Sequence, residues 1–252
     1  MSDFFYRTED IGPSDILNYF VETEEDRSAI DQLKGRNPTI LIGSRGVGKS
    51  FLMRVAEQEL AAEYSSSRVV PVYVTFVSSS LLRTGDPDQF RHWMLARICR
   101  AVLRKISKMG LLANMSSSAN VLAGLPAGHI DLDGLEKLII SYEESWKNPN
   151  DNVDSSNIPD IEELKDALED LAEELHIKRF ALLMDEAAHI FLPTQQRQFF
   201  TLFRDLRSHC VTCNAAVYPG VTSYGDTFQP THDATMVSIN RDIRARLKIN
   251  TH

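Results

Sequence analysis

Residues 43–50 read Gly43-Ser44-Arg45-Gly46-Val47-Gly48-Lys49-Ser50, a complete G-x-x-x-x-G-K-[ST] spacing. Glycines at 43, 46 and 48 let the backbone turn through positive φ and aim successive N–H groups at one anion. Lys49 adds a mobile cation for the β- and γ-phosphates, and Ser50 a hydroxyl for Mg²⁺. The flanks agree with that use. Pro38-Thr39-Ile40-Leu41-Ile42 is an apolar run of buried-strand type, and Phe51 to Leu60 follows the loop with helical periodicity. A helix starting there contributes unpaired amides and the positive end of its dipole. The expected ligand is a nucleoside triphosphate, gripped by Gly43, Ser44, Arg45, Gly46, Val47, Gly48, Lys49, Ser50 and Phe51.

A second acidic element lies far downstream. Ala181-Leu182-Leu183-Met184-Asp185-Glu186 is an apolar strand that ends in two carboxylates, the pattern of a Walker B element. Strands inside a parallel sheet are apolar on both faces, so carboxylates at a strand's C-terminal end fall where ligands bind. Asp185 is the expected Mg²⁺ partner alongside Ser50, and Glu186 is placed to orient and deprotonate an attacking water.

Composition bounds the rest. A chain of 252 residues, 43% hydrophobic and 25% charged, has room for one sizeable α/β core. Its formal net charge of −8 argues against a surface that grips nucleic acid everywhere, while leaving room for a local basic face. The sequence has no basic N-terminal segment with an apolar core and no apolar run long enough for a membrane span, so the expected location is the cytoplasm. Cys99, Cys210 and Cys213 fit a reducing compartment. Cys210-Val211-Thr212-Cys213 has no second C-x-x-C to complete a structural zinc site, and it reads as two ordinary thiols between a helix and a strand.

Along the chain, strand and helix alternate. Residues 1–37 form an N-terminal leader with a helix over about Glu24 to Gly35. A nucleotide-binding domain is expected over 38–240, with a short tail at 241–252. Val69 to Phe76 reads as a strand whose Pro71 suggests a sheet edge. Residues 89–108 read as a helix with Leu95, Ile98, Val102 and Ile106 on one side and Arg97, Arg100, Arg104 and Lys108 on another. That basic stripe suits a phosphate backbone, an acidic partner or simple solvation. Residues 107–160 turn Ser-, Asn-, Gly- and Pro-rich, which predicts a surface insertion with one short helix over Gly134 to Tyr142. Asp160 then caps a helix with Glu163 answering it, and the Arg179 to Asp185 strand follows. A helix over Gln195 to Ser208 and strands at 214–218 and 235–239 complete the pattern. Strands separated by helices predict an α/β fold with a mostly parallel sheet and helices on both faces.

Together the leader ending in Asp26-Arg27, the loop at 43–50 and the Asp185-Glu186 strand resemble the nucleotide-binding core of AAA+ P-loop ATPases. The flavour is that of prokaryotic relatives of the origin-recognition and replication-initiator proteins, with STAND signalling ATPases as neighbours. The resemblance implies a five-stranded sheet in the order 5-1-4-3-2, ATP and Mg²⁺ as ligands, and assembly into a homo-oligomer or larger complex with a DNA or protein partner. It also implies a polar sensor near the end of the fourth strand, for which Tyr218, Thr222 and Ser223 are candidates. An arginine finger is implied at the end of the preceding helix, where Arg204 and Arg207 stand, with Arg207 taken as the catalytic one. Relatives continue into a helical lid, whereas this sequence runs thirteen residues past Ile239, so the lid is expected to be absent. Three readings follow: an ATPase coupling hydrolysis to conformational change, a nucleotide-gated switch, or a nucleotide-binding fragment without turnover.

Overall fold

Among the described residues five apolar stretches become strands: β1 (Thr39–Ile42), β2 (Val69–Thr75), β3 (Arg179–Asp185), β4 (Val211–Val217) and β5 (Thr235–Ser238). They form one sheet in the order β2-β3-β4-β1-β5 with every pair parallel, the expected order read from its other end. The computed structural model describes residues 11–12, 15–76, 87–111, 117–123, 132–144, 153, 156, 158–186 and 192–240. The stretch 148–152 and the tail from Arg241 lie outside them.

Two-residue alternation assigns the faces. Val70, Val72, Val74, Phe180, Leu182, Met184, Cys213 and Ala215 enter the larger core. That core also holds buried residues of α4 (Pro87–Lys108), α7 (Ile161–Glu174) and α8 (Pro193–Asp205). Leu41, Leu183 and Ala216 point the other way, onto α1 (Glu24–Lys34) and α2 (Lys49–Ala62). Helices therefore cover both faces. The registers Thr39↔Asn214, Thr39↔Thr235 and Thr75↔Asp185 bring the C-terminal ends of the strands to one edge, where the loop after β1 and the carboxylates after β3 emerge.

β2 is an edge strand, which explains Pro71. The Phe76 N–H reaches across to the Asp185 carbonyl, so by the two-residue period position 71 faces away from β3, where a missing donor breaks no ladder bond.

The helix within the leader, α1, is built into the fold. Ala29, Ile30 and Leu33 are fully buried. The Arg179 guanidinium donates to the Lys34 and Gly35 carbonyls at 2.7 and 2.6 Å, closing the end of α1. Asn214, fully buried in β4, accepts the Thr39 N–H and donates to the Leu33 carbonyl. Glu59 of α2 takes both Arg27 and Lys34 from α1.

Between α4 and α7 the structure corrects the sequence reading. Among the described residues two helices form there, α5 (Ser117–Ala123) and α6 (Leu132–Glu144), besides the one-turn α3 (Tyr64–Ser67) earlier in the chain. Ser and Asn are indifferent helix formers, but Ala119 and Leu122 bury against the main core and Ser118 Oγ bonds Glu174 of α7, so packing overrides propensity. Leu135, Ile139 and Tyr142 of α6 join the same core. Other boundaries differ modestly. α8 begins at Pro193, with Gln195 reaching back to the Leu192 N–H, and ends at Asp205, while β4 begins at Val211 and so takes in Cys213. Asp160 and Glu163 make the reciprocal cap that their spacing predicts.

Half of the basic stripe of α4 is paired: Arg97 meets Glu143 at 2.7 Å and Arg100 pairs with Glu136. Beside the stripe, Lys105 meets Glu57 at 3.1 Å.

Candidate nucleotide-binding site

The loop leaves β1 and enters α2 at Lys49. Gly46 and Gly48 have φ of 81° and 94°, the left-handed region that favours glycine. Gly43 is needed for a different reason. A Cβ there would lie 2.7 Å from Val47 Cγ2 and 2.9 Å from the Ile239 carbonyl oxygen, so close approach excludes a side chain. The expectation that all three glycines serve positive φ thus holds for two of them.

Lys49 is buried, and its Nζ donates to the Gly43 and Ser44 carbonyls at 2.6 and 3.0 Å. The ammonium also lies 4.0 Å from the centre of the Tyr218 ring. Burial pulls its pKa down to about 8, against the opposing pull of Asp185. Ser50 is partly buried in the first turn of α2, and Phe51 packs its ring 6.0 Å from that of Phe20.

Asp185, the last residue of β3, is buried. Its Oδ1 accepts the Glu186 N–H at 2.8 Å, and its Oδ2 accepts the hydroxyl of Tyr73. Glu186 has φ of 56°, an uncommon conformation for a residue with a side chain and one of the backbone features that gather at functional sites. Tyr218 stands one residue past β4. Its hydroxyl is raised in pKa by burial and then by the negative charges of Glu186 and Asp185.

The structure thus gathers the loop, Lys49, Asp185, Glu186 and Tyr218 at one edge of the sheet. Of the other sensor candidates, Thr222 donates its hydroxyl to the Tyr218 carbonyl at 2.7 Å, and the Ser223 N–H bonds Gln196. Arg207 is not brought to the cluster. It is exposed in the connection that enters β4, at the end of the parallel sheet opposite the loop. Arg204 is engaged with Asp205 and the Thr227 carbonyl.

Sequence reasoning missed Tyr73 and Arg54. Tyr73 pairs in register with Leu183, two residues before Asp185 and therefore on its face of the sheet. Burial, then the neighbouring Asp185, push its pKa well above the ordinary value. Arg54 of α2 lies over the Tyr73 ring with 3.3 Å from guanidinium carbon to ring centre, and holds Glu57 at 2.9 Å. The signal in the sequence was a tyrosine, with its polar tip, inside the apolar run 69–76. Its partner lies 112 positions away on a strand whose neighbour the sequence does not name.

These groups fit a phosphate and a divalent cation. The positive-φ Gly46 and Gly48 and the Lys49 ammonium are the groups that suit an anion. The Ser50 hydroxyl and Asp185 carboxylate are the hard oxygen donors that Mg²⁺ takes.

Residues 4–88 match the ORC-CDC6-like family. The match covers about a third of the chain, from the N-terminal segment through the loop, α2 and β2. Over that span the protein resembles origin-recognition and Cdc6-like AAA+ proteins, and its all-parallel sheet is consistent with a P-loop NTPase fold. No curated protein and no solved structure matches the chain. The ORC-CDC6-like match stops before β3, so the case for Asp185 and Glu186 rests on their position in the fold. No helix among the described residues is long and apolar enough to cross a membrane.

Proposed function

We propose that the protein binds ATP with Mg²⁺ at residues 43–51 and hydrolyses it, as an AAA+ type ATPase of the cytoplasm that couples the reaction to conformational change in an oligomer on DNA or protein. The observation that carries this reading is the convergence of Lys49, Asp185, Glu186 and Tyr218 at the edge where the loop leaves β1. The loop N–H groups and Lys49 hold and orient the phosphates. Ser50 and Asp185 would hold Mg²⁺, which when bound offsets negative charge on the phosphate oxygens. Glu186 accepts the proton of the attacking water. Arg207, far from this chain's own loop, serves the site of a neighbouring copy.

A second reading, a switch in which binding matters more than turnover, is favoured by one specific feature. Both Asp185 oxygens already accept hydrogen bonds, from Tyr73 and from the Glu186 backbone. Titration with a fluorescent ATP analogue and a phosphate-release assay separate the two. The ATPase reading requires that Lys49→Ala lose ATP affinity and that the parent chain release phosphate with Mg²⁺. Unchanged affinity in a folded Lys49→Ala protein would remove the loop assignment. Tight binding without release would leave the switch.

A further inference from the structure

Beside the edge strand β2, where α2 and α4 approach one another, lies a cavity of about 470 Å³. Its size falls in the range of small-molecule sites. Its walls carry six cations, Arg54 from α2 and Arg97, Arg100, Arg104, Lys105 and Lys108 from α4, against one carboxylate, Glu57. Four of these cations have acidic partners. Glu57 serves both Arg54 and Lys105, Glu143 holds Arg97 and Glu136 holds Arg100. After those pairings the cavity retains excess positive charge, on a chain whose net charge is −8.

The remaining two cations decide what the cavity is for. Arg104 and Lys108 sit one helical turn apart on α4, both exposed at the cavity. Neither makes a side-chain hydrogen bond or ion pair among the described residues. Cations held close together without counter-charge repel one another, and a ligand with several negative oxygens relieves that cost. Arg97 and Lys105, already oriented by Glu143 and Glu57, offer further donors to the same space. The floor is β2, from which Tyr73, Val74 and Thr75 line the cavity, giving a concave shape bounded on three sides instead of an open track.

We propose that this cavity is a second anion site, distinct from the loop at 43–50, that binds a small ligand carrying several phosphate groups. Arg104 and Lys108 grip its charged oxygens. The site stands whether or not the loop binds ATP, because no residue of the loop lines it.

Titration calorimetry with inorganic tripolyphosphate tests it in the Lys49→Ala chain, where the loop cation is gone. One binding event is expected, weakened at least tenfold by adding Arg104→Ala and Lys108→Ala. It should be retained in a control carrying Lys137→Ala and Lys178→Ala, exposed cations that remove the same charge elsewhere. A circular dichroism spectrum and melting curve establish that each variant is folded. No binding to Lys49→Ala, equal binding after the Arg104 and Lys108 changes, or equal loss in the control overturns the proposal. A single-stranded oligonucleotide provides the last arm. If it binds through Arg104 and Lys108 and tripolyphosphate fails to displace it, the surface is a nucleic-acid track and the small-ligand assignment is wrong. Failure of the ATP reading shows separately, as unchanged ATP affinity on loss of Lys49 alone.

Discussion

Replacing Lys49 with Met should make the nucleotide-free protein more stable while destroying its affinity for ATP. Met keeps the apolar stem and removes the charge. Burial holds the Lys49 pKa at about 8 against 10.5 for a free lysine, a difference that corresponds to a folding penalty of about 3 kcal/mol when the group is charged. The bonds to the Gly43 and Ser44 carbonyls and the contact with Tyr218 offset part of it, leaving a net gain of about 1–2 kcal/mol. For a domain of this size that raises the melting temperature by about 2–8 °C. The sign with pH is fixed. Because the folded pKa lies below the unfolded one, the wild-type penalty is complete below about pH 8 and fades as pH rises toward 10.5, where both states are losing the proton. Thermal unfolding of both proteins near pH 7 and near pH 10 should show a gap at the lower value that narrows at the higher. A Met variant that melts at or below the parent temperature near pH 7, or a gap that does not narrow, would refute the account of a strained buried ammonium.

Three further outcomes are expected. Glu186→Gln should retain ATP with Mg²⁺ and slow phosphate release by about 10²-fold or more, whereas Asp185→Asn should raise the Mg²⁺ concentration needed for tight binding; a binding titration and a release assay run together distinguish them. Tyr73→Phe should lower that Mg²⁺ requirement several-fold, since the hydroxyl competes for an Asp185 oxygen, and a rise instead would mean that Tyr73 orients the carboxylate for the metal. Gly43→Ala should cost about 1–3 kcal/mol in denaturant unfolding, because its Cβ meets the backbone oxygen of Ile239 at 2.9 Å and backbone does not step aside as a flexible side chain would.

What was legible in the sequence followed from local signals. The loop announced itself by glycine spacing, and each strand by an apolar run between turn residues. The Asp160 cap was read from a three-residue interval. Strand order came from the family likeness and not from periodicity, which cannot say that β1 lies between β4 and β5. The interactions that shape the site are of that non-local kind. Tyr73 reaches Asp185 across 112 positions, and Arg179 clamps α1 across 144. The helix at Ser117–Ala123 escaped notice because its stability comes from α7 and the core, not from its own composition. Arg207 was placed by analogy alone, and the fold sets it at the far end of the sheet.

The neighbours of β1 have a consequence for how the molecule is made. Among the described residues β1 pairs with β4 and β5, at Asn214–Val217 and Thr235–Ser238, while the strand next in sequence, β2, closes the opposite edge through β3. When the ribosome has released the first hundred residues, β1 and β2 therefore share no hydrogen bond, and the glycine loop hangs from a strand without partners. Contacts between such distant segments carry a heavy closure entropy and form late. The glycine loop at 43–50 is thus among the last features to acquire its shape, taking it once residues 211–238 are available to fold. The segment that carries the family likeness packs α1 against α2, but its two strands lie at separate places in the sheet and are joined only when β3 and β4 fold between them.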